Sequence, residues 1–171
     1  MRILYMKNKI IKSIEKGLFF LSSNQLSSGE FLTMRAEKRG MKNSSYIKSM
    51  FFTTFALHSL SRLKNAFSIN EIVQKATKFL LNEKEGIGFW HFSGKGTHLP
   101  LDLDCTCCAL AALFENDVEL EYQTIAEYLL NYRNEKGIFY TWILDRYLTK
   151  TNGGFKNGID WVVNANVLFS D

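Results

Sequence analysis

The chain has 171 residues, of which 46% are hydrophobic and 14% aromatic, enough to build one domain with a real core. So apolar a composition, with 22% charged residues and 1 Pro, excludes intrinsic disorder and disfavours a loop-rich fold. The net charge of +4 conceals a division: residues 1–75 hold 13 Lys and Arg against 4 Asp and Glu, whereas residues 76–171 hold 8 against 13.

Taken in chain order, the first segment places Ile10, Ile11, Ile14, Leu18 and Leu21 at helical spacing, followed by Gly29 and Phe31. An apolar segment over residues 46–63 comes next, with Ser44 or Ser45 where an N-cap is expected. A second amphipathic segment carries Ile72, Val73, Ala76, Phe79 and Leu80, then Gly88 and Trp90. The apolar segment 103–115 follows, with Asp102 or Asp104 as its cap. A third amphipathic segment carries Ile125, Tyr128, Leu129 and Tyr132, then Gly137 and Phe139. The last apolar segment covers residues 159–169, with Asn157 as its expected cap.

These segments repeat. Phe20-Leu21, Phe79-Leu80 and Tyr128-Leu129 are each followed nine positions after the aromatic by Gly29, Gly88 and Gly137, and two positions later by Phe31, Trp90 and Phe139. Glycine supplies the permissive backbone that ends a helix, and the aromatic can fold back on the helix end as a plug. The apolar segments align as well, with Thr53 beside Thr106 and with Ala56, Ala109 and Ala165 in one column. They are apolar on nearly every side, so they are expected to be buried. The pattern predicts three helical hairpins, each with an amphipathic outer helix and a buried inner helix, stacked side by side.

The first copy resembles the QW motif of squalene–hopene and oxidosqualene cyclases. Lys16, Gly17, Phe20, Leu21, Gln25, Gly29 and Phe31 match it, with Phe in place of the final Trp. The second copy keeps Trp90 but has Lys84 in the Gln position, and the third has Arg133 and Phe139. The chain is thereby similar to the terpenoid cyclase and protein prenyltransferase superfamily. That resemblance implies an all-α fold, an α/α toroid whose inner helices line a cavity. Residues 1–171 would form a single toroid domain, and a partial one: three hairpins make about half of the family's ring, and the chain stops inside an inner helix.

Asp102-Leu103-Asp104-Cys105-Thr106 resembles the acid motif of class II terpene cyclases. The resemblance implies Asp104 as the general acid that protonates an alkene or epoxide, with Asp102 raising its pKa. Phe52, Phe55, Trp142 and Trp161 could then present ring faces to a carbocation. Each residue also has a plainer role. An Asp at a helix start is an ordinary cap, and aromatics at helical spacing are ordinarily core.

Other chemistries fare worse. Cys105, Cys107 and Cys108 are odd in number and adjacent, which fits reduced, packed thiols and a cytoplasmic setting. No Asp-x-Cys pair or Cys-His-Gly element supports zinc, and Gly94-Lys95-Gly96-Thr97 does not complete a phosphate loop, so neither metal nor cofactor is expected. The basic residues are dispersed, against nucleic acid. No stretch is long enough to span a bilayer, and the N-terminus shows no signal-peptide pattern. Two functions are expected to compete. One is acid-initiated cyclisation of a squalene-like or polyprenyl substrate. The other is a non-catalytic toroid segment that binds an apolar ligand or a protein. The partners implied are an isoprenoid or other apolar small molecule, another copy or a second toroid segment, and a membrane surface touched peripherally.

Overall fold

The computed structural model describes residues 2–144 and 157–169, and side chains from residue 7 to 144 and 157 to 167. About half of the chain is helical. Among the described residues the order is α1 (Arg2–Ser23), β1 (Met34–Lys38), β2 (Lys42–Tyr46), α2 (Met50–Ser61), α3 (Asn70–Glu83), β3 (Leu101–Asp102), α4 (Leu103–Glu115), α5 (Tyr122–Leu129) with a 3-10 turn (Leu130–Tyr132), β4 (Trp142–Ile143) and α6 (Trp161–Phe169). The last two residues, Ser170 and Asp171, at which the third apolar segment was expected to break off, lie outside the described residues.

The expected alternation of two helix types is present. α2, α4 and α6 pack in that sequence, α4 between its two neighbours, and α3 packs on α2. After α1, α3 and α5 the chain makes the same small turn. In it Leu26, Glu85 and Asn134 donate their N–H to the carbonyls of Glu30, Phe89 and Ile138 at 2.8, 2.8 and 2.9 Å. The residue after each acceptor is the plug. Phe31 and Trp90 are 5% and 0% exposed, so two of the three are core, and Phe139 is half-buried.

What holds each plug is a side chain of its own inner helix. The N–H of Phe31 donates to Thr53 Oγ1 at 3.2 Å, that of Trp90 to Thr106 Oγ1 at 3.1 Å, and that of Phe139 to Asn164 Oδ1 at 2.8 Å. A plug amide removed from water needs an acceptor, and position four of each inner helix supplies it. This corrects the third register by two residues: Asn164, not Val162, stands with Thr53 and Thr106, and the column of Ala56, Ala109 and Ala165 does not hold in space. Successive repeats are then laced by main chain. The first N–H of α2 donates to Phe92 O and the first N–H of α4 to Thr141 O, at 2.9 and 3.0 Å.

The turn glycines serve close approach. A Cβ on Gly29 would run into the Lys75 carbonyl, and one on Gly88 into the Ile125 side chain. Gly29 and Gly137 also have φ of +96° and +77°, whereas the second copy places its positive φ at Gly86 instead of Gly88.

Several expectations are corrected. Ser44 and Ser45 lie in β2, which pairs antiparallel with β1 in a hairpin that the helical reading did not foresee. The N-cap of α2 is Ser49. Asn157 does not cap α6; it accepts from Trp142 N–H and donates to Trp142 O, both at 3.0 Å. Asp160 takes the capping position, accepting from Val162 N–H at 2.7 Å. Burial of the apolar helices is also uneven. α4 has helices on both sides and is mostly buried, but Phe52 and Phe55 on α2 and Trp161 and Val162 on α6 are exposed, because each of those helices has an inner neighbour on one side only. The loop at Gly94–Thr97 is held at Lys95, whose N–H donates to Glu83 Oε2 at 2.7 Å.

Candidate functional site

With plug acceptors aligned, the inner helices share one partly exposed stripe. It runs Phe51, Phe55 and His58 on α2 with Arg62 as the C-cap, and Asp104, Cys108, Ala111 and Glu115 on α4. Asn166 on α6 stands level with Phe55 and Cys108. The spacing i, i+4, i+7, i+11 puts each set on one helix face, so the stripe along α4 is about 16 Å long.

Asp104 sits at one end of this stripe and is half-buried. Its Oδ1 accepts from Asn166 Nδ2 at 2.6 Å, and the Cys108 thiol lies 3.8 Å away. Burial pushes the Asp104 carboxyl above its ordinary value, opposed by the Asn166 and Cys108 hydrogen bonds and reinforced by Asp160. Asp102 is buried and serves as the N-cap of α4, its Oδ1 accepting from Cys105 N–H at 2.7 Å. Burial raises its pKa to about 6, with Asp104 adding to the rise and the bonds at the helix start holding it down. The same burial pushes the Cys108 thiol up to about 12 and the Cys105 thiol well above its usual value. Neither thiol is a thiolate near neutral pH.

At the other end of the stripe Glu115 gathers donors from the last turn of α2 and its C-cap. Its carboxylate accepts from Ser61 Oγ at 2.9 Å and from Arg62 at 2.8 Å, and His58 Nδ1 lies 2.7 Å from it. Between these ends lies an open cavity of about 250 Å³, lined by Thr54, Phe55, His58, Cys108, Ala111 and Asn166. Among the described residues no group of three His, Cys, Asp or Glu side chains is placed to hold a metal ion.

A larger cleft of about 740 Å³ opens where α5 stands off from α4. Leu110 and Phe114 of α4, Ala126, Leu129 and Leu130 of α5 and its turn, Phe139 and Val167 contribute its apolar wall. Phe114 and Leu130 are 67% and 46% exposed, and exposed Gln123 and Arg133 border the cleft with them.

The six residues singled out from the sequence are therefore dispersed. Phe55 lines the smaller cavity, and two of its other walls, Cys108 and Asn166, are the partners of Asp104. Asp102 faces the start of α4, opposite Trp142 in the two-residue ladder of β3 and β4. Phe52 is 49% exposed beside Phe51, and Trp161 is 73% exposed at the start of α6. Sequence reading missed His58, Glu115 and Asn166, which became visible only when the inner helices were set in register. The cleft has no signature in the sequence either, since segments 103–115 and 159–169 are apolar enough to be expected buried.

Among the described residues no helix is long and apolar enough to cross a membrane. Comparison with protein-family models, with curated proteins and with solved structures found no match.

Proposed function

We propose that this protein is a helical-repeat domain of the α/α-toroid type that binds an elongated apolar molecule of the isoprenoid class, without making or breaking its bonds. The observation that carries this reading is the cleft between α4, α5 and α6. Its volume of about 740 Å³ lies within the roughly 300–1,000 Å³ of small-molecule sites, and most of its walls are aliphatic or aromatic, with Glu115, Gln123 and Arg133 as its polar members. The repeat motif's resemblance to the cyclases narrows the apolar ligand to an isoprenoid.

A second reading, acid-initiated cyclisation at Asp104, draws on the burial that raises this carboxyl and on the cavity beside it. An initiating acid must present a proton at the reacting atom. Here the Asn166 amide donates to Asp104 Oδ1 at 2.6 Å, which favours the carboxylate, and the adjoining cavity holds only about 250 Å³. Binding is therefore the better-supported role.

Calorimetric titration with geranylgeraniol in detergent-free buffer tests it. Saturable binding is expected, weakened at least tenfold by Ala126→Trp, which fills the cleft from an exposed position, and unchanged by Asp104→Asn. Equal affinity in wild type and Ala126→Trp would place the ligand elsewhere and overturn the reading. Consumption of the alcohol or of squalene, abolished by Asp104→Asn, would replace it with the cyclase reading.

A further inference from the structure

The repeat equivalence shows which surfaces lack the neighbour that their counterparts have. Position by position, α1 corresponds to α3: Ile10 to Ile69, Gly17 to Ala76, Phe20 to Phe79 and Leu21 to Leu80. In the second copy all four are buried, at 2%, 0%, 3% and 0%, because α3 lies on the inner helix α2. In the first copy Ile10 and Phe20 are 58% and 64% exposed. Among the described residues α1 has an outer-helix face with no inner helix beneath it.

α6 has the reciprocal deficit. Its Trp161 and Ala165 correspond to Met50 and Thr54, which are 0% and 1% exposed on α2, the helix that α3 packs on. On α6, Trp161 is 73% exposed and Ala165 is exposed too. The turn glycines report the same vacancy. Gly29 is pressed against α3 at Lys75, and Gly88 against α5 at Ile125, but nothing lies within 4 Å of a Cβ built on Gly137. The residues of α1 that correspond to Lys75 and Ala76 are Lys16 and Gly17.

We infer that α1 of a second copy of this chain docks on α6, as α3 docks on α2, so that copies join head to tail. Charge supports this occupant. α1 holds Arg2, Lys7, Lys9, Lys12 and Lys16 against Glu15 alone. An outer helix laid on α6 lies alongside α5, and residues 119–132, which include α5, hold Glu119, Glu121 and Glu127 and no Lys or Arg. The joint is helix on helix. The main-chain acceptor that laces the later repeats has its first-copy equivalent in Thr33 O, which accepts from Ile47 N–H of the same chain at 3.0 Å. An interface limited to helix faces is small for a specific complex, so association is weak and, being heterologous, either closes a ring or extends.

Sedimentation velocity of the full chain tests this, from low to several hundred micromolar, at low and high salt. Wild type is expected to associate with rising concentration, and less so in high salt. Phe20→Glu removes the head and Ala165→Glu the tail; both positions are exposed, and circular dichroism checks that the fold is kept. Each variant alone is expected to be monomeric, and a mixture of the two is expected to form dimers through the one intact head and one intact tail. A monomeric wild type throughout, association of either variant alone, or a monomeric mixture would each overturn the inference.

Discussion

Replacing Trp90 by Ala is expected to lower the unfolding free energy by about 3–5 kcal/mol, the range for deleting a fully buried Trp or Phe. Trp90 is 0% exposed, in the middle repeat, with core on every side. Its indole Nε1–H donates to Leu80 O at 2.8 Å, which ties the plug to the end of α3. Its own amide is held by Thr106 of α4. Truncation therefore opens a cavity between α3 and α4 and strands a buried carbonyl. Trp90→Phe keeps most of the packing and is expected to cost about 1–3 kcal/mol, chiefly for the carbonyl left without its donor. Trp161→Ala, at an exposed site, is expected to stay within about 0.5 kcal/mol in dilute solution. Urea unfolding followed by circular dichroism checks all three. A loss under about 1 kcal/mol for Trp90→Ala would contradict the placement of the plug in the core.

Replacing Asp102 by Asn is expected to stabilise the protein near neutral pH. Burial raises the Asp102 carboxyl from its ordinary value near 4 to about 6, so the folded state binds its proton more tightly than the unfolded chain does. The favourable contribution is complete below about pH 4 and is lost as pH rises through about 6. Above that, an ionised carboxylate is buried at the start of α4. Two pH units correspond to roughly 2–3 kcal/mol, an order-of-magnitude figure. Asn keeps an oxygen that accepts from Cys105 N–H and is itself a favoured cap, so the helix start survives. Stability is to be measured for both proteins from about pH 4 to 7. The gap in favour of Asn is expected to open between about pH 4 and 6 and then level off. A smaller fall with pH persists in the variant, because Asp104 is raised by burial too. A wild type more stable than Asp102→Asn at neutral pH would show that the helix start holds the carboxylate as an ion.

The repeat was legible because its signal is a covalent interval. Nine positions from the aromatic to the glycine, and two more to the plug, are set by the length of one helix end and one turn. Asp102 was legible as a cap for a similar reason, since a short acid at a helix start has one nearby donor to satisfy. The β1–β2 hairpin was not. Met34–Lys38 and Lys42–Tyr46 are almost wholly exposed, so no alternation of apolar and polar residues announces them. Ser44 and Ser45 then looked like caps, although α2 begins beyond the hairpin at Met50. The register of α6 was misread because alanines matched in one dimension, whereas the chain matched a hydrogen-bond acceptor: Asn164 does the work of two threonines. The candidate site suffered most. His58, Glu115 and Asn166 come from three helices; His58 meets Glu115, and Asn166 meets Asp104, only through the packing of α2, α4 and α6, which no interval in the sequence records.

The three copies stand or fall together on one bond each, and hydrogen exchange of three amides reads those bonds directly. By NMR, the N–H groups of Phe31, Trp90 and Phe139 are expected to exchange far more slowly than those of an unstructured chain, each shielded by its inner-helix acceptor, with Trp90 slowest because its repeat is flanked on both sides. Protection at Trp90 alone, with Phe31 and Phe139 exchanging at the rate of free peptide, would show one local turn and not a threefold repeat.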